Sequence, residues 1–287
     1  MSRPRIAVAS CMAFLAFAGL SGCDRVSLAD RPDPLGSTII DAAQIQDLLL
    51  TAGDPEESVA YFEAALAEEP DRVDFRRGLA LSLTRARRFP EAARVYQEMV
   101  ALGQAEAQDR MEYGFLSARL ENWDEADRLA ASLPGGLNTS RRHTLDAMLA
   151  DRRQDWAAAD AAYARAEDTS SNPAGVLNNW GVSRMSRGDL PSAEQTFLQA
   201  LSFNSRLFSA KNNLAIVRGL QGNYRLPVVP MTEREKAIIL NNLGLIALRK
   251  GEGRIAKGLF AAAVDAHPQH YAAAADRLAA LEAVVGN

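Results

Sequence analysis

Apolar residues recur through most of the chain with two nested periods. Over short segments they return every third or fourth residue, the spacing of a helix that buries one face. Over longer distances the whole pattern repeats every 33 or 34 residues, which is the spacing between the residues that follow successive predicted turns. Those residues are Phe89, Trp123, Trp156, Leu190 and Tyr224. The pattern predicts a series of stacked helical hairpins, one for each period.

Small and large residues also stand at fixed places within each period. A small residue follows three places after the turn position, and a large one usually comes four places later. The small residues are Ser58, Ala92, Ala126, Ala159, Ala193 and Ala256, and the large ones are Phe62, Tyr96, Tyr163, Phe197 and Phe260, with Ala130 as the exception. Small residues let two helices approach closely, and neighbouring hairpins must stack because one hairpin cannot bury its apolar face alone.

This period and order of residues resemble the tetratricopeptide repeat (TPR), whose signature is W-x2-L-G-x2-Y, then A-x3-F, then P. The best copies are W-G-V-S-R from Trp180 with A-E-Q-T-F-L-Q-A-L from Ala193, and L-G-L-I-A from Leu243 with A-K-G-L-F-A-A-A-V from Ala256. The resemblance covers about 230 residues and implies an all-α superhelix of six to seven helical hairpins with a C-terminal capping helix. We therefore assign TPR units 1–6 to residues 39–231, and a seventh unit with the capping helix to residues 232–287.

The sixth unit departs from the pattern. Pro227 stands where the small helix-contact residue belongs, and a proline inside a helix loses a hydrogen bond and clashes with the preceding turn. This unit is predicted to lose most of its second helix. The next helix is predicted to begin near Thr232, a capping residue, with Glu233 and Glu235 in its first turn. Two interpretations of the interruption at 225–231 stay open, a partner site and a tolerated deletion.

The first residues have the pattern of an export signal. Two arginines precede an uncharged, mostly apolar run from Ile6 to Leu20, which is shorter than the roughly 20 apolar residues that span a bilayer and fits the apolar region of a secretory signal. The run L-S-G-C that ends at Cys23 resembles the lipobox of bacterial lipoproteins, in which the cysteine is lipidated. We therefore assign residues 1–22 to a lipoprotein signal peptide, Cys23 to the lipidation site and residues 23–38 to a flexible tether.

Cysteine content and charge agree with export and anchoring. The other cysteine, Cys11, lies inside the signal, so the mature chain has no partner for a disulfide. Cleavage removes two arginines and no acid, so the net charge falls from −4 to −6, which argues against a nucleic-acid partner. We expect a protein anchored to a bacterial membrane and facing the periplasm. The outer membrane is favoured, but Asp24 keeps the inner membrane open because it resembles a retention signal of enteric bacteria.

Catalytic and cofactor motifs are missing from the sequence. It has no phosphate-binding G-x-x-x-x-G-K-[ST] loop, no G-x-S-x-G, no H-E-x-x-H and no paired C-x-x-C. The run G-x-G-x-x-A from Gly251 lies at a predicted turn between helices, whereas a dinucleotide site needs a strand before it. We therefore expect no enzymatic activity, no cofactor and no metal site.

Asparagine pairs occupy the same places in three units. Positions 2, 5, 6, 9 and 13 of each first helix point away from its partner helix and are predicted to line a concave groove. Asparagine is unfavourable inside a helix, so the pairs need a reason, either bonds to the backbone of a bound peptide or bonds between neighbouring helices. Both reasons stay open. The predicted partner-binding groove comprises Asn178, Asn179, Asn212, Asn213, Ile216, Asn241, Asn242, Leu245 and Arg249.

The L-S-G-C-D leader, the number of TPR units and the late N-N-L-G-x-I-A-L-x-x-G-E repeat together resemble the TadD family. Its members are TPR lipoproteins of the tight-adherence (Flp) pilus machinery. The resemblance implies a pilotin-like role, in which the protein helps to place or multimerise the outer-membrane secretin. Two alternatives stay open. One is another periplasmic TPR adaptor lipoprotein, serving peptidoglycan hydrolases or outer-membrane assembly, and the other is a protein that binds a small molecule or lipid.

Overall fold

The computed structural model describes residues 49–269 and 271–285, and within them all regular structure is helical. The predicted signal peptide, Cys23, the tether and the first part of unit 1 lie outside the described residues. Residues 49–51 are helical. The helices that follow are α1 (Pro55–Glu68), α2 (Val73–Arg85), α3 (Phe89–Ala101), α4 (Ala107–Arg119), α5 (Trp123–Ala131), α6 (Ser140–Arg152), α7 (Trp156–Asp168), α8 (Ala174–Ser186), α9 (Leu190–Phe203), α10 (Phe208–Leu220), α11 (Glu233–Arg249), α12 (Gly253–Ala266) and α13 (Ala272–Val285).

The helices pair into hairpins in chain order. The pairs are α2 with α3, α4 with α5, α6 with α7, α8 with α9, and α11 with α12. Each pair is joined by three residues, a connection that turns the second helix antiparallel to the first. The first helices α4, α6, α8, α10 and α11 also contact one another in succession. They therefore form one layer of an all-α TPR superhelix, and the second helices form the other layer.

The turns inside the hairpins share one backbone conformation. The middle residue of each turn has a positive φ, and the next amide donates to a carbonyl five residues earlier, as Arg88 does to Leu83 at 2.9 Å. This bond closes the first helix and reverses the chain. The left-handed middle residues are Arg87, Glu121, Gln154, Gly188 and Gly251, and Gly222 has the same role after α10. The turn is therefore kept in unit 6.

The hairpin core explains the small and large positions of the repeat. Ala193 and Phe197 of α9 are both fully buried. The ring of Phe197 fills the space left by Gly181 of α8, where a Cβ atom would lie 2.5 Å from a ring carbon. Phe260 fills the same space beside Gly244 in the last hairpin, at 2.6 Å. The glycine of the first helix and the aromatic residue of the second are therefore one packing unit.

A cation from the following unit covers each aromatic turn position. Arg119, at the end of α4, lies with its guanidinium carbon 4.2 Å from the ring centre of Phe89. The other pairs are Arg152 with Trp123, Arg187 with Trp156, and Lys250 with Tyr224. Such contacts are worth about 0.5–1 kcal/mol at exposed sites, so they link consecutive units.

The interruption in unit 6 is a non-helical segment that connects α10 to α11. Residues 221–232, all of which the structure describes, contain no helical turn that continues α10. Leu226 and Met231 pack against the cluster of α10 and α11, whereas the side chain of Val228 is fully exposed. Thr232 then caps α11, and its hydroxyl accepts a hydrogen bond from the Glu235 amide at 3.2 Å. The predicted start of this helix is confirmed.

A buried ion pair joins α10 and α11, the two helices that this non-helical segment connects. The ammonium group of Lys211 lies 3.1 Å from a carboxylate oxygen of Glu235, and only 4% of the lysine side chain is exposed. The same carboxylate accepts from the amide of Thr232 at 2.9 Å. The ion pair therefore fixes the first turn of α11 against α10.

Candidate functional site

Two adjoining cavities open on the layer of first helices. Their volumes are about 600 and 940 Å³. Residues of α4, α6 and α8 line both cavities. Arg87 of the α2–α3 turn and the start of α10 line the larger one, and Trp123 of α5 and Tyr163 of α7 line the smaller one. Phe115, Arg119, Arg141 and Asn179 line both cavities and mark where they meet. We call this surface the central groove.

Arginines on aromatic rings dominate the wall of the central groove. Arg119 covers Phe89, and the guanidinium carbon of Arg141 lies 3.8 Å from the ring centre of Phe115. Arg141 also forms an ion pair with Glu112. Among the described residues, Arg119 and Arg152 have no acidic partner, and both are exposed. The groove therefore presents guanidinium groups whose charge the protein does not neutralise.

A single acidic residue lines these cavities, and its carboxylate accepts hydrogen bonds from neighbouring side chains. Asp151 accepts from the hydroxyl of Ser183 at 2.6 Å and from the hydroxyl of Tyr163 at 2.9 Å. Burial raises the pKa of the Asp151 carboxyl above its ordinary value, although these two hydrogen bonds act in the opposite direction. The arginines that line the cavities nevertheless outnumber this one acid, in a chain whose net charge is −4.

The asparagine pairs bond between neighbouring first helices. Asn213 donates its amide to Asn178 at 3.1 Å, and Asn242 donates to Asn212 at 2.8 Å. The asparagine at position 6 of one unit therefore donates to the one at position 5 of the preceding unit. At the end of the series, Arg277 of α13 donates to Asn241 at 3.0 Å. The sequence left two roles open for the asparagine pairs, and these hydrogen bonds between neighbouring helices are one of them.

Asn179 differs from the other asparagines. Its side chain is half-buried, makes no hydrogen bond with the described residues and lines both cavities. The position that would partner it in the preceding unit is Thr144, whose hydroxyl donates to Ser140 within its own helix at 2.8 Å. The amide of Asn179 is therefore free to bond a ligand.

The structure separates the predicted groove residues into two groups. Asn178 and Asn179 line the cavities, whereas the predicted residues on α10 and α11 do not. Ile216 and Leu245 are half-buried and pack against the adjacent apolar clusters. Asn241 is 5% exposed, and Arg249 is exposed at the end of α11. The lipidation site Cys23 lies outside the described residues.

Most residues of the central groove were not part of the sequence prediction, and five of these form much of its apolar and arginine surface. They are Phe115, Arg119, Arg141, Met148 and Arg152. All five stand at positions 2, 9 or 13 of units 3 and 4, the same positions that were used to select residues in the later units. The same repeat positions therefore indicate these residues, whereas the predicted groove was centred on the later units because of their asparagine pairs.

The described residues contain neither a cluster of metal-ligating side chains nor a membrane-spanning helix. No group of three or more histidine, cysteine, aspartate or glutamate side chains among them is placed to hold a metal ion. None of their helices combines the length and the apolar character that crossing a bilayer requires.

The fold defines a helical-repeat protein with an open groove on its layer of first helices. The tetratricopeptide-repeat family model matches residues 47–107. A search of curated protein sequences gave no match.

Solved structures share the fold at low sequence identity. A chain of the APC/C hetero-tetramer Cut9–Hcn1 is 14% identical over 87% of this chain, with a TM-score of 0.55, and this chain spans 50% of its length. A TPR protein from Parabacteroides merdae is 14% identical over 85% of this chain and 97% of its own, with a TM-score of 0.53. PilF of Pseudomonas aeruginosa is 17% identical over 63% of this chain and 84% of its own, with a TM-score of 0.43.

Proposed function

We propose that this protein is an exported, lipid-anchored TPR scaffold that holds a segment of a protein partner in its central groove. The observation that carries the proposal is the open surface where Phe115, Arg119, Arg141 and Asn179 line two adjoining cavities. Aromatic and arginine side chains are enriched where proteins bind one another tightly. The amide of Asn179 makes no hydrogen bond with the described residues, and the guanidinium groups of Arg119 and Arg152 have no acidic partner among them, so their polar atoms are available to a bound segment.

Membrane attachment in this proposal depends on Cys23. Acyl chains on this cysteine would anchor the protein, and several chains together give stable attachment where one alone binds only marginally. The tether of residues 23–38 would reach about 50 Å when fully extended, at about 3.3 Å per residue. The repeats would then face the periplasm at a distance from the bilayer, with the outer membrane favoured and the inner membrane left open by Asp24.

Attachment is tested by replacing Cys23 and following the protein in membrane fractions. We expect Cys23→Ala to leave the repeats folded and to release the protein from membranes washed with high salt. Wild-type protein pelleted in parallel is the reference, and Ser21→Ala, which changes a neighbouring residue and keeps the cysteine, is the matched control. Unchanged pelleting of the Cys23→Ala protein under high salt would contradict the lipid anchor.

The partner we propose is the secretin of the tight-adherence (Flp) pilus, in line with the resemblance of the leader and the late repeat to TadD. The test is a strain that lacks this protein, whose membranes are fractionated and blotted for heat-resistant secretin multimers. We expect the multimers to disappear or to move to the inner membrane, and to return when the gene is restored. Unaffected multimers would rule out this role and leave a TPR scaffold with a different client.

A further inference from the structure

Charge is distributed unevenly in this molecule. The chain has 32 basic and 36 acidic residues, yet the cavities of the central groove are lined by four arginines and one acid. The arginines are Arg87, Arg119, Arg141 and Arg152, and only Arg141 has an acidic partner among the described residues. Asp151, the acid, is occupied by Ser183 and Tyr163. A basic groove on an acidic body selects for a negatively charged occupant.

The aromatic rings prepare these arginines for binding. A guanidinium that lies on a ring uses its flat face for that contact and keeps its N–H donors at the edge. Arg119 is held in this way on Phe89 at 4.2 Å, and Arg152 lies 5.9 Å from the ring centre of Trp123. Less conformational freedom is then lost when a carboxylate binds, and the bond formed is charge-assisted.

The repeat sets the spacing of these two arginines. Arg119 and Arg152 both stand at position 13, on α4 and α6, two first helices in direct contact. Axes of packed helices lie about 8–10 Å apart. A peptide in the extended polyproline II conformation has three residues per turn and advances about 3.1 Å per residue. Carboxylates three residues apart then lie on one face, about 9 Å from each other, and would match the two guanidinium groups. Phe115 and Val182 line the same cavity and offer an apolar contact.

We infer that the segment bound in the central groove is an acidic peptide in the extended polyproline II conformation, with carboxylates about three residues apart on Arg119 and Arg152 and an apolar side chain against Phe115. This inference rests on the proposed function, because it specifies the chemistry of the partner segment in the same groove. It names aspartate and glutamate as the residues that the groove selects, and it sets the segment apart from a neutral amphipathic peptide.

The test is a selection from a phage-displayed library of random dodecapeptides on the full-length protein, purified in mild detergent. We expect the recovered peptides to be enriched in aspartate and glutamate at a spacing of three residues, relative to the unselected library. Synthetic copies should bind the Arg119→Gln/Arg152→Gln protein about tenfold more weakly than wild type, since two charge-assisted hydrogen bonds are lost. Their binding should also weaken as the salt concentration rises.

The matched control removes the same charge elsewhere. Arg234 and Arg254 are exposed cations on α11 and α12 that line neither cavity, so Arg234→Gln/Arg254→Gln should bind the selected peptides as wild type does. Circular dichroism melting curves establish that both double variants are folded. Recovery of neutral peptides that still require the groove would overturn the acidic occupant but keep the proposed groove. Recovery of no peptide, or equal binding by both double variants, would overturn the acidic occupant, and the former would also count against a peptide-binding groove.

Discussion

Gly181 and Phe197 face each other so closely that a Cβ atom on the glycine would lie 2.5 Å from the Cε1 atom of the ring. The two residues come from the two helices of one hairpin, and the ring is fully buried. The contact therefore shows that the two helices of the hairpin are closely packed at this position.

We expect Gly181→Ala to destabilise the protein by about 1–3 kcal/mol, because the buried ring must shift to admit the methyl group. Gly175 is the matched control, since it lies in the same helix and a Cβ there has open space. Gly175→Ala should stabilise by up to about 1 kcal/mol through helix propensity. Urea denaturation of both variants measures the difference, and equal free energies of unfolding would contradict the close packing.

Substitutions at the left-handed residues of two turns should change stability in opposite directions. Gln154 has a φ of 59°, and Gly188 has a φ of 85° at the equivalent turn. We expect Gln154→Gly to stabilise the protein by about 0.5–1 kcal/mol, because glycine adopts this conformation without steric strain. Gly188→Gln should destabilise it by about 1–2 kcal/mol for the converse reason. Thermal melting of the two variants is the measurement, and shifts of the same sign would show that strain at these turns is not the controlling factor.

The ion pair between Lys211 and Glu235 makes stability depend on pH. Glu235→Gln should destabilise the protein by about 2 kcal/mol at neutral pH, because a buried ammonium group loses its countercharge. Glu233→Gln, which breaks an exposed pair with Lys236 in the same turn, should change stability by less than about 0.5 kcal/mol. Chemical denaturation of the two variants and wild type provides the comparison.

The direction of the pH effect follows from the pKa of Glu235. Burial acts to raise this pKa, but the hydrogen bonds from Thr232 and Lys211 outweigh burial and lower it. A carboxyl group with a lowered pKa in the folded state stabilises the protein above the ordinary glutamate pKa of about 4.3, and this contribution is lost as the pH falls further. Wild type and Glu235→Gln should therefore become similar in stability in acid, and a gap that stays constant with pH would contradict the role of the charge.

The asparagines are expected to divide into structural and free groups. Asn242→Ala should destabilise the protein by about 1 kcal/mol, because it removes the hydrogen bond to Asn212 between two helices. Asn179→Ala removes no such bond and should leave stability unchanged or slightly raised by the better helix propensity of alanine. Equilibrium unfolding in urea separates the two cases. A large loss of stability in Asn179→Ala would mean that this amide has a structural role.

Local sequence was sufficient to predict the repeat. The spacing from Phe89 to Trp123 and the small residue at Ala193 are visible without any structure, because each hairpin reuses the same contacts between residues close in sequence. Pro227 and Thr232 likewise mark the interruption and the helix that follows it, since a missing amide and a capping hydroxyl act within one turn. These features depend on local geometry, so the sequence predicts them well.

Only the tertiary structure decided how the units meet. Arg119 lies on Phe89 and Asn242 bonds to Asn212, in each case across 30 residues of sequence. Such contacts depend on the angle and distance between stacked hairpins, which many side chains set together and no single motif encodes. For the same reason the sequence selected the asparagine-rich end of the array, whereas packing placed the open groove over the arginines of α4 and α6. The repeat was determined by residues within each unit, and the candidate site by the stacking of the units.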